Sequence, residues 1–357
     1  MTTISLEDLE TRQIDPTKPL LEVDRLVMHY HIKAGEVSAV DNVSFTVHQG
    51  EAVGLVGESG CGKTSIALSL LRLLPSNAEY VSGEIRLNGE DLLWLSPEEM
   101  RQRRWKEIAM VFQGAMNSWN PVYRVGDQIA EGLRAHNKEM PKQQARARAV
   151  ELLRAVGIPN PESRVDDHPH QFSGGMRQRA MIAMALANNP DVLIADEPTT
   201  ALDVTIQAQI IELIGRLKDE FNSAVILITH DLGVVAEIAD ELLVMYAGRV
   251  VERGGKRQIF YDPQMPYTWG LLGSIPRLDR PKAERLHSIK GSPPSLINLP
   301  QGCKFRPRCP HAFEKCWEEP ELENRVEEPG HFDRCWLPVE EKRSLREETI
   351  SGETRAA

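Results

Sequence analysis

Three short stretches of this chain carry residue types suited to phosphate chemistry. They are "GESGCGKT" at 57–64, "QFSGGMRQR" at 171–179, and "VLIADEP", which sets Asp196 beside Glu197. The first matches G-x-x-x-x-G-K-[ST], with an apolar run, "AVGLVG", leading in and an apolar helical run, "KTSIALSLLRLL", leading out. Its glycines let successive backbone N–H groups turn toward one point and form an anion-binding concavity. Lys63 then reaches the outer phosphates, and the Thr64 hydroxyl ligates Mg²⁺. The helix N-terminus adds partial positive charge. The predicted cradle is Gly57, Glu58, Ser59, Gly60, Cys61, Gly62, Lys63, Thr64 and Ser65.

The acidic pair supplies the other half of a hydrolytic site. Asp196 leaves the carboxyl end of a four-residue apolar strand, placed to hold the Mg²⁺ shell, and Glu197 follows with a carboxylate able to polarise an attacking water. Phosphoryl transfer needs positioning and charge neutralisation more than covalent chemistry, so these parts suffice. His230 ends another apolar run, "VILITHD", and Gln113 closes "IAMVFQ". A histidine in that place could equally be a structural cap. Ligands of open α/β sheets bind at the carboxyl ends of strands, so Gln113, Asp196 and His230 are expected to converge, with Gln113 also near the metal.

These residues need a sheet to position them. Short β-rich runs recur to about residue 112, and strands then alternate with helices from "VLIADEP" to "ELLVMYAGRVVERG", the pattern of βαβ units and a parallel sheet. Residues 125–188 are helical in pattern and interrupt it, which predicts an inserted helical subdomain at about 115–190. The expected division is a loose tail at 1–19, a nucleotide-binding unit at 20–262, a small separate Cys-containing module at 263–337, and a charged, disordered tail at 338–357.

Taken together, the phosphate loop, Gln113, "SGG", "ADE", "ALD" and His230 resemble the ATP-binding cassette (ABC) ATPases, in order and spacing, over about residues 20–255. The resemblance implies an α/β P-loop fold: a RecA-like, mostly parallel sheet core, an antiparallel β subdomain, and the inserted helices. In that family two cassettes dimerise head to tail, and the Ser-Gly-Gly of one caps the ATP held by the other. Ser173, Gly174 and Gly175 would thus complete a partner's site with backbone donors and a helix N-terminus. By the same resemblance Asp203 acts across the dimer, and Tyr30 stacks on adenine, unless it is simply a core tyrosine. Where the commonest signature has glutamine, this chain has Met176, as in peptide-importer ATPases.

The stretch "FQGAMNSWNPVYRVGDQI" and the tail "GSPPSLINLPQGCKFRPRCPHAFEKC" resemble the oligopeptide/dipeptide importer branch, whose members also include nickel and oligosaccharide types. The implied partners are a second ATPase subunit, identical or distinct, two membrane permease subunits, and, indirectly, an extracytoplasmic solute-binding protein. The implied place is the cytoplasmic face of the membrane. The competing class is a soluble cassette ATPase acting on DNA, ribosomes or iron–sulfur assembly. Such proteins usually carry two cassettes, a long coiled-coil insert or no extension.

Composition fits this reading. A formal net charge of −10 argues against a nucleic-acid partner. The chain shows no apolar run of the ~18 residues a membrane span needs, and its acidic, polar start is no secretory signal. Four of its 5 cysteines, Cys303, Cys309, Cys316 and Cys335, fall in the spacing C-x5-C-x6-C-x18-C. In a reducing compartment such a cluster points to metal ligation before disulfides. Four thiolates suit tetrahedral zinc or a [4Fe–4S] cluster, and the wide spacing suits the larger group better. Unligated thiols or adventitious disulfides stay open as a third reading. Some importer ATPases that this extension resembles carry such a cluster. Lys304, Arg306 and Arg308 would offset its charge, and distance along the chain from the nucleotide motifs implies a structural role.

Overall fold

The structure is a computed structural model and describes residues 18–114, 118–200, 202–275 and 289–351. Most of the expected N-terminal tail, Ala201 of the "TALD" stretch, and residues 115–117 after Gln113 lie outside the described residues.

Two sheets form. The first is antiparallel: β1 (Leu21–Ile32), β2 (Gly35–Val47), β4 (Ala78–Leu87) and β5 (Glu90–Asp91), in the order β2-β1-β4-β5. In β1, Leu21 and Val23, then Leu26 and Met28 beyond a register shift, are buried, as expected of a sheet with one face on the core. The second holds β3 (Ala52–Val56), β6 (Ile108–Val111), β7 (Val192–Asp196), β8 (Ala224–Thr229), β9 (Glu241–Tyr246), β10 (Arg249–Gly255) and β11 (Phe332–Asp333), in the order β11-β10-β9-β3-β8-β7-β6. Every residue of β3, β6, β7 and β8 is buried, the mark of parallel strands covered on both faces.

Register decides where the chemistry sits. Val56 pairs with Thr229, Asp196 with Ile228, and Val111 with Ala195. The carboxyl ends of β3, β8, β7 and β6 therefore finish level, and Gly57, His230, Glu197 and Gln113 leave the sheet side by side.

One face of this sheet packs with the antiparallel sheet and the helix Lys63–Leu70, and the other with the helices between β6 and β7. Those helices are Val125–His136, Lys142–Ala155 and Gly174–Ala185. The first two each bury one stripe, Val125, Ile129 and Leu133 on the first and Ala145, Ala149 and Leu152 on the second, whereas the third is buried on most sides of its second half.

The C-terminal segment differs from the expected separate module. The buried Tyr267 and Trp269 of helix Pro266–Gly273, together with Phe305, Cys335 and Leu337, belong to the same core as the sheet. Strand β11 extends that sheet by pairing antiparallel to β10. Beneath this edge Glu252 is fully buried, bonded to His331 Nε2 at 2.8 Å and to the Met265 N–H at 3.2 Å. Residues 339–351, expected as a disordered tail, form a helix. Its Lys342 is buried and donates to Asp333 Oδ1 at 2.6 Å. A charged segment reads as solvated from sequence, whereas here its charges anchor it, with Arg343 and Arg346 both paired to Asp262 as well.

Candidate functional site

The phosphate loop turns between β3 and helix Lys63–Leu70. Gly62 stands at φ 107°, where a Cβ would lie 2.1 Å from the Ala39 carbonyl oxygen, so this position must be glycine. Lys63 is buried, and its ammonium donates to the Gly57 and Glu58 carbonyls at 2.7 and 3.0 Å. Burial pushes the Cys61 thiol up in pKa, partly offset by Lys63, so it stays neutral beneath the loop. Ser59, Gly60 and Thr64 are exposed. Tyr30, half-buried on β1, places its hydroxyl 3.2 Å from the Ser65 hydroxyl in the first turn of the loop's helix.

Asp196 ends β7 and is buried, bonded to the Thr64 side chain. Burial raises its pKa; the Thr64 bond opposes this, Glu197 adds to it, and Lys63 opposes it. Its Oδ1 is buried with no hydrogen-bond partner. An unpartnered carboxylate oxygen beside a threonine hydroxyl is the hard-oxygen donor set that Mg²⁺ takes, so these residues fit the ion.

Glu197 has a left-handed backbone, φ 44°, rare for a non-glycine and of the kind held at functional sites. Its N–H is fixed to the Ile228 carbonyl at 2.8 Å. Three side chains meet its carboxylate: Gln113 Nε2 at 2.7 Å and Thr200 Oγ1 at 2.9 Å on Oε2, and His230 Nδ1 at 3.2 Å from Oε1. Burial alone would raise its pKa, but the bonds from Thr200 and His230, with the charges of His230 and Lys63, hold it below the ordinary range. The carboxylate is thus ionised at neutral pH. Thr200 escaped the sequence reading. Its signal was local, a turn in which its N–H bonds the Glu197 carbonyl at 3.2 Å. The Gln113 amide lies on Glu197.

Ser173 caps helix Gly174–Ala185, accepting from the Met176 N–H at 3.3 Å. Asp203 caps helix Val204–Phe221 in the same way, through the Ile206 N–H at 3.0 Å. Ser173, Gly174 and Asp203 are exposed, and among the described residues no hydrogen bond joins them to the phosphate loop.

Cys303, Cys309, Cys316 and Cys335 line one small cavity, with Phe305, His311 and Trp336. Burial pushes Cys303 up to about 11 and Cys309 and Cys335 up to about 12. Among the described residues no three His, Cys, Asp or Glu side chains stand close enough to hold a single metal ion. The expected charge-balancing cations point elsewhere. Lys304 pairs with Glu319 at 2.9 Å, Arg306 stacks 3.1 Å over the Trp317 ring, and Arg308 grips Glu58 of the phosphate loop. Separation in sequence had concealed that last contact, so the segment is not remote from the nucleotide motifs.

A glycine cradle with a buried lysine, an aspartate fit for Mg²⁺ and an ionised glutamate at one sheet edge define an ATPase of the P-loop type. Comparison with known proteins narrows this. Residues 40–200 match the ABC transporter family, and residues 251–316 match the C-terminal region of oligopeptide/dipeptide transporters. The oligopeptide transport ATP-binding protein OppD of Salmonella typhimurium is 50% identical over 95% of this chain and 99% of its own length. The dipeptide transport ATP-binding protein DppD of Lactococcus lactis is 50% identical over 89% and 90%. Among solved structures, the dimeric bacterial ABC transporter cassette MJ0796 superposes with TM-score 0.60 at 27% identity, over 66% of this chain and 99% of that one. The chain belongs to the ABC transporter ATPases, in the oligopeptide/dipeptide transport branch. No helix among the described residues is long and apolar enough to cross a membrane.

Proposed function

We propose that this chain is the ATP-hydrolysing subunit of an importer of oligopeptides or dipeptides, bound at the cytoplasmic face of the membrane to two separate permease subunits. The observation that carries the hydrolytic part is the meeting of Gln113, Thr200 and His230 on Glu197, next to the unpartnered oxygen of Asp196. On this reading Gly57–Ser65 hold the phosphates, and Tyr30 lies against adenine. Thr64 and Asp196 would hold Mg²⁺, which would supply charge neutralisation for the phosphates. Glu197 accepts a proton from the attacking water, and His230 and Gln113 position it. Ser173, Gly174, Gly175 and Asp203 act on the nucleotide of a partner cassette, identical or distinct. The exposure of that helix start, and the dimeric form of the MJ0796 cassette, support this.

The four cysteines are read as ligands of a [4Fe–4S] cluster. Their meeting around one cavity supports a shared ligand, and their wide spacing in sequence suits a larger group better than zinc. Bound there, it would cross-link the C-terminal segment. Protein purified without oxygen should be brown and carry about four irons per chain; colourless protein with one zinc or none refutes the cluster.

The reading as a whole is tested by purifying the chain with its neighbouring membrane proteins and measuring ATP-driven peptide uptake into vesicles. Lys63→Ala should abolish uptake. ATP hydrolysis by the chain with no membrane partner and no uptake would favour a soluble ATPase instead.

A further inference from the structure

We propose that Arg308, set between two cysteines of the C-terminal segment, is a positioning residue of the nucleotide site: its guanidinium clamps Glu58 and so fixes the lip of the phosphate loop. The proposal rests on reading Gly57–Thr64 as the nucleotide loop and adds a control over it.

The clamp spans 250 residues of sequence. Arg308 donates to both Glu58 carboxylate oxygens, at 2.6 and 3.0 Å, in a two-pronged pair. The rest of its fork is also engaged, with the Lys290 and Gly291 carbonyls at 3.1 and 3.2 Å and the Tyr246 hydroxyl at 3.4 Å. Its side chain is only 5% exposed, so water competes little for these bonds. Glu58 is meanwhile held at its backbone. Its N–H donates to the Tyr267 hydroxyl at 2.8 Å, and its carbonyl accepts from Lys63 at 3.0 Å. The side chain that fixes Glu58 thus sets the residue against which the phosphate-binding lysine rests.

The link continues into the cysteine loop. Phe305 packs on Tyr246 and Tyr267, with ring centroids 5.3 and 5.4 Å away, and its carbonyl accepts from the Cys309 N–H at 3.0 Å. Arg308 therefore leaves a turn whose backbone is tied to the residues lining the thiol cavity. Two physical consequences follow for nucleotide binding. A loop held in its binding shape before the ligand arrives loses less entropy on binding. Arg308 also neutralises a carboxylate that would otherwise repel the phosphates.

The second consequence gives a signature that general support of the fold would not. A fluorescent ATP analogue with Mg²⁺ is titrated into the full chain and into Arg308→Ala, Glu58→Gln and the double variant. Arg308→Ala should weaken binding by about tenfold, the scale of a lost charge-assisted contact. Adding Glu58→Gln should restore part of that loss, because the unpaired carboxylate is gone. Unchanged affinity in Arg308→Ala, or no recovery in the double variant, overturns the proposal. If Arg308→Ala does not fold, Arg308→Lys decides. It keeps the charge without the fork, so binding should fall several-fold, and wild-type affinity refutes the clamp. Lys63→Ala separates the two readings: if it binds the analogue as well as wild type, the loop assignment fails rather than the role of Arg308.

Discussion

Replacing Glu197 by glutamine tests the catalytic reading most directly, because the structure separates its chemical effect from its structural one. The carboxylate is only 14% exposed and receives three side chains. A glutamine amide turned with its NH₂ at the Oε2 position faces the Gln113 amide and the Thr200 hydroxyl. The first can flip and the second can rotate, so both can accept. Turned the other way, the NH₂ faces His230 Nδ1, which accepts in its other tautomer. No arrangement forces two donors together, and the backbone strain at φ 44° is the same for either residue. The structural cost should stay below ~1 kcal/mol, within the range of one rearranged hydrogen bond. What is lost is basicity. A positioned general base is worth about 10²–10⁴ in rate, or roughly 3–5 kcal/mol of barrier. The assay is phosphate release by the assembled transporter, paired with ATP binding by the chain. Turnover should fall by that factor while ATP affinity stays within about twofold of wild type, since the carboxylate contributes to the step and not to the grip. Turnover within tenfold of wild type would refute Glu197 as the base, and loss of ATP binding would refute the argument that the amide fits.

Three further outcomes follow from named contacts. Gly175→Asp places a Cβ 3.0 Å from Ile206 Cγ2, on a helix start with no described bond to the chain's own phosphate loop. Hydrolysis in the assembled complex should fall at least tenfold, while ATP binding by the isolated chain, read by fluorescence titration, stays unchanged. Gly62→Ala adds a Cβ 2.1 Å from a backbone oxygen at φ 107°; it should lower stability by more than about 2 kcal/mol in urea unfolding and remove ATP binding. Lys342→Met leaves Asp333 buried without its main cation, though Arg325 remains 3.7 Å away, so a loss of about 2–4 kcal/mol is expected by the same measurement. A change under about 0.5 kcal/mol would mean that the last helix is not docked.

What the sequence disclosed was what short-range spacing encodes. The phosphate loop, the acidic pair after a buried strand and the Ser-Gly-Gly before a helix are each fixed by backbone conformation over a few residues. The strand-end rule expects Gln113, Asp196 and His230 at one edge, and β6, β7 and β8 do end in register there. The contact of the Gln113 amide with Glu197 was not legible, since pairing register says nothing about which neighbour a side chain selects. The contacts of the C-terminal segment were hidden for a different reason. Arg308 and Glu58 are both ordinary charged residues, and only the fold makes them neighbours. The final helix was misread because its "VEEKRSLREE" run has no apolar stripe. It is held instead by Lys342, of a residue type almost never fully buried unless paired, by Arg343 and Arg346 on Asp262, and by Leu345 against the core.

The division between buried and exposed parts bears on how binding could become movement. Lys63 and Asp196 are buried and fixed, whereas Ser59, Gly60, Thr64, Gln113 and His230 are exposed, as are Ser173, Gly174 and Asp203 on the separate signature surface. Each surface carries a helix N-terminus, so the two like dipole ends gain nothing by meeting directly. Two chains of net charge −10 repel besides, apart from screening by salt. On the proposed reading, an ATP between them reverses this. Its phosphates take the N–H groups of the loop helix on one chain and of the signature helix on the other, two aligned dipoles directed at one anion. Hydrolysis removes the phosphate that both helices would share, and the repulsion regains its weight. The association would then depend on the γ-phosphate, not on apolar area. That lets one cleaved bond separate two subunits.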